Sequence, residues 1–161
     1  MSRIDNEVRI TPSVLDRLLD DRPDQSQEAP ASRQMSLRLL KDAVRRDLEW
    51  LLNTRREASG AIEALPETSQ SLATFGLPDF SGSNVFTRAG REELRKRVET
   101  AVAVFEPRLE GIRVTMEKVQ ENDRSIRFRI EGQLRVEPAP EPVVFDTMLQ
   151  VGSGEIHVRE K

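Results

Sequence analysis

The sequence predicts an α+β fold, with N-terminal helices packed on a C-terminal four-stranded, mainly antiparallel sheet. Three observations carry this. Aliphatic residues recur at three- and four-residue steps before Pro107, they alternate with polar residues after it, and short turn-forming stretches separate the alternating runs. No internal repeat is evident.

Thr11-Pro12-Ser13 offers a cap and a first-turn proline for a short helix with Val14, Leu15, Leu18 and Leu19 on one face. Residues 22–33, RPDQSQEAPASR, hold two prolines and no large aliphatic side chain, so they read as a mobile linker. Residues 1–33 therefore form an arm ahead of a single domain, 34–161. That domain opens with a helix whose buried stripe is Leu37, Leu40, Val44, Leu48, Leu51 and Leu52. Ser69 to Phe75 reads as a short helix closed by Gly76, and GLPDFSGSN as an ordered loop anchored by Leu77 and Phe80. Thr87 caps a helix running to about Phe105, with Leu94, Val98, Val102 and Phe105 inward. Pro107 stops it, because proline lacks an amide donor and clashes with the preceding turn.

Beyond Pro107 the period is two. Ile112, Val114 and Met116 share one face of a first strand; Ile126, Phe128, Ile130, Leu134 and Val136 share one face of a second, joined to it near Asn122-Asp123. EPAPEP, residues 137–142, reads as an extended crossing. A third strand aligns Phe145, Thr147, Leu149 and Val151, and Gly152-Ser153-Gly154 turns into a short fourth carrying Ile156 and Val158.

Composition excludes several function classes. The 25 basic and 28 acidic residues are interspersed and sum to -3, so no basic field is present to hold nucleic acid or an anionic membrane. With no cysteine there is no disulfide and no thiolate chemistry. The N-terminus lacks the pattern of a secretory signal, and no run approaches the ~20 apolar residues that cross a bilayer, so a cytoplasmic protein without membrane insertion is expected. Neither G-x-G-x-x-G nor a P-loop occurs, and no cofactor is expected.

The only histidine, His157, lies between Ile156 and Val158 on a strand and has no cysteine or second histidine for a metal, so it reads as a solvated strand residue. Carboxylates are the remaining catalytic material, and Glu106 with Asp146 is the pair a glycosidase would use. Arg108 argues against that role, since a nearby guanidinium holds Glu106 ionised when a general acid must be protonated. One Trp and no Tyr also make a poor sugar platform. The strand face bearing Arg127, Arg129, Glu131, Gln133 and Arg135 reads as solvated. The final strand, Ile156 and Val158, offers an edge to which a partner strand could be added.

SVLDRLLDD (13–21), RDLEWLLNTRR (46–56), SLATFGLPDFS (71–81), FEPRL (105–109) and EPVVFDTMLQV (141–151), in that order, give the chain a family likeness. It resembles the contractile-tail baseplate wedge proteins often labelled lysozyme-like, the family of the type VI secretion baseplate subunit TssE. The resemblance implies a structural, non-enzymatic role at the cytoplasmic baseplate with TssF and TssG as partners. It implies a link to the TssB/TssC sheath and templating of sheath assembly by strand addition. It further implies that Glu106, Pro107 and Arg108 contact the helical core bundle of the wedge. A phage-tail wedge protein and a peptidoglycan-cleaving enzyme are the alternatives.

Overall fold

The computed structural model describes residues 10, 12–18, 32–56, 67–79, 85–117 and 125–161. The readings of Leu19, of linker residues 22–31, of Phe80 and of the Asn122-Asp123 turn fall outside them. Helix α1 (Val14–Leu18) starts in a reciprocal cap: Ser13 Oγ accepts the Asp16 N–H (3.1 Å) and the Ser13 N–H donates to Asp16 Oδ2 (3.3 Å). Helix α2 (Arg33–Asn53) is capped by Ser32, whose hydroxyl accepts the Met35 N–H. Helix α3 (Arg88–Phe105) is capped by Thr87 through the Gly90 N–H, as its sequence predicts.

Between α2 and α3 the chain forms two short strands, β1 (Arg55–Arg56) and β2 (Leu77–Pro78), paired in parallel. The segment expected as one helix is instead two 3-10 turns, Thr68–Gln70 and Leu72–Thr74, divided by an extended Ser71 whose hydroxyl bonds the Ala73 N–H. Serine side chains compete with the helical ladder in this way. Gly76 is obligatory at the end of this stretch. Its φ is 102°, and an added Cβ would stand 2.4 Å from the Thr54 carbonyl oxygen.

Four strands follow: β3 (Leu109–Met116), β4 (Ser125–Leu134), β5 (Glu141–Gln150) and β6 (Ile156–Glu160). They form one antiparallel sheet in the order β3-β4-β5-β6, so β3 and β6 are its two edges. The register aligns Val114, Ile130 and Phe145 in one row, and Phe128, Thr147 and Val158 in the next, on the face covered by α2 and α3. The opposite face carries the row Thr115, Arg129, Asp146 and Arg159. The architecture is therefore α+β in two layers.

One irregularity shapes the first edge. Gly111 and Ile112 together oppose Gly132, a bulge with Gly111 at φ 62°. The extra residue lets both Leu109 and Val114, five positions apart, face the core, which strict alternation forbids.

Helix α2 contributes Val44, Leu48, Leu51 and Leu52 to the core, and α3 contributes Leu94, Val98 and Val102. Each fully buried side chain of this kind stabilises the fold by about 1.5–3 kcal/mol. Thr147 opposes them: its hydroxyl is buried with no hydrogen-bond partner among the described residues, a cost of about 1–3 kcal/mol. The apolar face of α1 does not join the core. Val14 is 64% exposed and Leu18 76%.

Candidate functional site

The chain reverses between α3 and β3 in a turn closed by the Leu109 N–H on the Glu106 carbonyl (3.1 Å), with Pro107 at its second position, where proline is favoured. Glu106 leaves helical geometry (φ -119°, ψ 76°), as a residue before proline must. Its carboxylate is nevertheless on the helix side and buried, 3% exposed. Glu106 Oε1 accepts the Arg108 backbone N–H (3.2 Å) and Arg108 Nε (2.6 Å), and Oε2 meets Arg108 Nη2. Pro107 thus bridges a forked ion pair and is itself exposed.

A second carboxylate completes the arrangement. Arg108 Nη2 also donates to Asp47 Oδ2 of α2 (2.6 Å), while Asp47 Oδ1 accepts from Arg46 Nε (3.0 Å) and Nη2 (2.9 Å). Arg46 Nη2 continues to Asp16 Oδ1 of α1 (2.8 Å). Five alternating charges, Glu106, Arg108, Asp47, Arg46 and Asp16, therefore connect the turn to α2 and to the arm. Hydrogen bonding to Glu106 raises the Arg108 pKa above its already high value, against the effect of burial, and Asp47 adds to it. At Asp16, burial opposes ionisation, but the hydrogen bonds from Ser13 and Arg46 prevail and lower its pKa. Glu106 is thus the first partner of Arg108, which keeps about a quarter of its side-chain surface exposed beside Pro107.

Glu106 and Asp146 are not brought together. Asp146 projects from β5 on the face turned away from the helices and accepts from Arg129 Nε (2.8 Å), so the sheet separates the two carboxylates and each is held by its own arginine. His157 lies half-buried on that outer face, 3.7 Å from Glu49 and 3.7 Å from Glu155. Among the described residues no group of three or more His, Asp or Glu is placed to hold a metal ion. No helix of the described residues is long and apolar enough to cross a membrane.

The edge at Ile156 and Val158 differs from its reading as an open one. Gln150 N–H bonds the Glu155 carbonyl and Lys161 N–H the Val144 carbonyl, so by alternation Ile156 and Val158 turn their backbone groups outward. There they are met by α2. Asn53 Oδ1 accepts the Ile156 N–H (2.8 Å), Asn53 Nδ2 donates to the Ile156 carbonyl (2.7 Å), and the Val158 N–H reaches Glu49 Oε1 (3.4 Å). The Ile156 and Val158 side chains are core residues, 0% and 3% exposed. A strand added at Ile156 would have to displace Asn53. Sequence reasoning also did not single out Asp47, Arg46 and Asn53, whose partners outside α2 lie 30 to 103 residues away.

No curated protein matches the chain. The family described as Baseplate wedge protein gp25 matches residues 38–139, which run from α2 to the loop after β4 and include the Glu106-Pro107-Arg108 turn. The matched span covers more than half of the 161 residues. The chain belongs to the baseplate wedge protein gp25 family, the family of TssE, whose members have a structural role in phage-tail and type VI secretion baseplates.

Proposed function

We propose that this chain is the type VI secretion baseplate subunit that links the wedge to the sheath, without catalytic activity, on the cytoplasmic side of the inner membrane. In this reading the Glu106-Pro107-Arg108 turn docks on the core bundle formed by TssF and TssG. An edge of the sheet then receives a strand of the first TssB/TssC ring. The observation that carries the proposal is the turn itself: a buried carboxylate fixes Arg108 next to an exposed proline, within the span matched by the baseplate wedge family. A preorganised, partly exposed guanidinium loses little freedom on binding.

The burial of Glu106 decides how to test this. Removing Arg108 alone would leave a buried carboxylate with no guanidinium on it, a change that typically costs about 3–5 kcal/mol. The paired substitution of Glu106→Gln with Arg108→Met removes both charges at similar volume. It is expected to retain a cooperative thermal transition and to lose co-purification with TssF and TssG. Undiminished capture by this folded variant would overturn the docking role. A phage-tail wedge protein fits the same family, and genomic neighbours encoding TssF and TssG or tail-tube and fibre genes separate the two.

A further inference from the structure

The β3 edge is built differently from the β6 edge. Glu117 N–H bonds the Arg127 carbonyl (2.9 Å), so by alternation Val114 and Met116 turn their N–H and C=O groups away from β4. The only side chain on this row among the described residues is Glu99 of α3, which accepts the Val114 N–H at 3.3 Å, beyond the usual range for such a bond. The Val114 carbonyl and both groups of Met116 have no hydrogen-bond partner among the described residues.

Alongside this row runs a groove of about 590 Å³ between α3 and β3. Its charged lining is Arg88, Arg91, Arg95, Arg113, Glu92 and Glu99, four cations against two anions. Arg95 is taken by both acids, Nη2 on Glu92 (2.7 Å) and Nη1 on Glu99 (2.8 Å). Arg91 donates to the Phe86 carbonyl (2.6 Å) and makes no ion pair with a carboxylate among the described residues. Arg88 and Arg113 are exposed and neither makes a direct ion pair among the described residues; the nearest acids are Glu92, which feels the charge of Arg88 but is bonded to Arg95, and Glu131, across the ladder from Arg113. Arg88 and Arg91 stand on the helix side of the edge, whereas Arg113 alternates with the core-facing Val114 and projects from the outer face. An extended chain lying in the groove would meet guanidinium groups on both of its faces.

We propose that the α3–β3 groove is the docking site for an acidic, extended polypeptide segment of a partner, which pairs with the outward groups of Val114 and Met116 while Arg88, Arg91 and Arg113 hold its carboxylates. This rests on the strand-addition reading above and supplies its edge and the chemistry of the incoming strand. Main-chain pairing supplies affinity and the arginines supply selectivity. The α3–β3 pair also lies wholly within the family-matched residues, whereas β6 does not.

The test uses the full chain and a labelled ten-residue peptide of alternating glutamate and threonine, followed by fluorescence anisotropy at low salt. Expected is binding that weakens steeply with added salt. The lysine–threonine peptide, a glutamate–threonine peptide with alternate amides N-methylated, and the R88E/R113E variant should each bind at least ~10-fold more weakly. Amide exchange should slow at Met116 on binding. The M116P variant removes an outward donor without touching the β4 ladder and should also bind more weakly. Equal affinity for wild type and R88E/R113E, or peptide-induced protection at β6 in place of β3, overturns the proposal. Capture of TssF and TssG with no peptide binding defeats the groove alone. Peptide binding at Met116 with no capture of TssF, TssG or sheath defeats the baseplate reading and leaves the groove standing.

Discussion

At the β6 edge Asn53 gives its amide to both outward groups of Ile156, while the next outward N–H has only a long contact with Glu49 (3.4 Å). At the β3 edge a single long contact from Glu99 meets the Val114 N–H, and the outward backbone groups of Met116 have no hydrogen-bond partner among the described residues. Both edges are flanked by a helix, so the difference lies in the side chains those helices carry. An unpaired strand edge invites pairing with other copies, and proteins blunt such edges with helices or charge. Here α2 seals one edge by hydrogen bonding, whereas the other is guarded by arginines. Two copies brought together along β3 would oppose Arg88, Arg91 and Arg113 to their own kind, yet an acidic strand would be admitted. The same device therefore discourages self-pairing and selects a partner.

Several substitutions probe this difference. The largest effect is expected for Asn53→Ala, which leaves the Ile156 N–H and carbonyl without partners at about 1–3 kcal/mol each, for a total of about 2–6 kcal/mol in urea unfolding. It should also make the chain self-associate through the newly opened β6 edge, seen as a concentration-dependent mass by light scattering. Glu99→Ala should cost only about 1 kcal/mol, because the contact it removes is long and Arg95 keeps Glu92. Equal losses from these two variants would mean that the edges are sealed alike. Thr147→Val is smaller and of opposite sign: replacing a buried, unbonded hydroxyl by a methyl group should stabilise by about 1 kcal/mol, with exchange at both edges unchanged.

The helices and strands were legible in the sequence because each buries one face, so the period of Leu48, Leu51 and Leu52, or of Ile126, Phe128 and Ile130, reports its conformation directly. Thr87 and Pro107 marked the ends of α3 through local chemistry alone. The bulge at Gly111 was not legible, since one inserted residue shifts the parity of Leu109 against Val114 and leaves no mark on the pattern. Nor was the division of residues 68–74 into two 3-10 turns, which depends on a serine hydroxyl competing for a backbone amide.

The candidate site was half legible. FEPRL showed a turn flanked by opposite charges, but adjacency cannot reveal that Glu106 is buried or that Asp47 shares Arg108, because that contact closes a span of 61 residues. The bonding of the β6 edge was hidden for the same reason. Ile156 and Val158 look like any short terminal strand until Asn53 is placed against them, from 103 residues away.

Residue-resolved amide hydrogen exchange on the unliganded chain measures the asymmetry most directly, since each outward N–H reports its own bonding. Ile156 should exchange slowly, in the class of the central β4 and β5 amides, with Val158 somewhat faster and Met116 orders of magnitude faster than either. Protection of Met116 equal to that of Ile156, or rapid exchange at Ile156, would contradict an account in which β6 is closed and β3 is the edge that receives a partner.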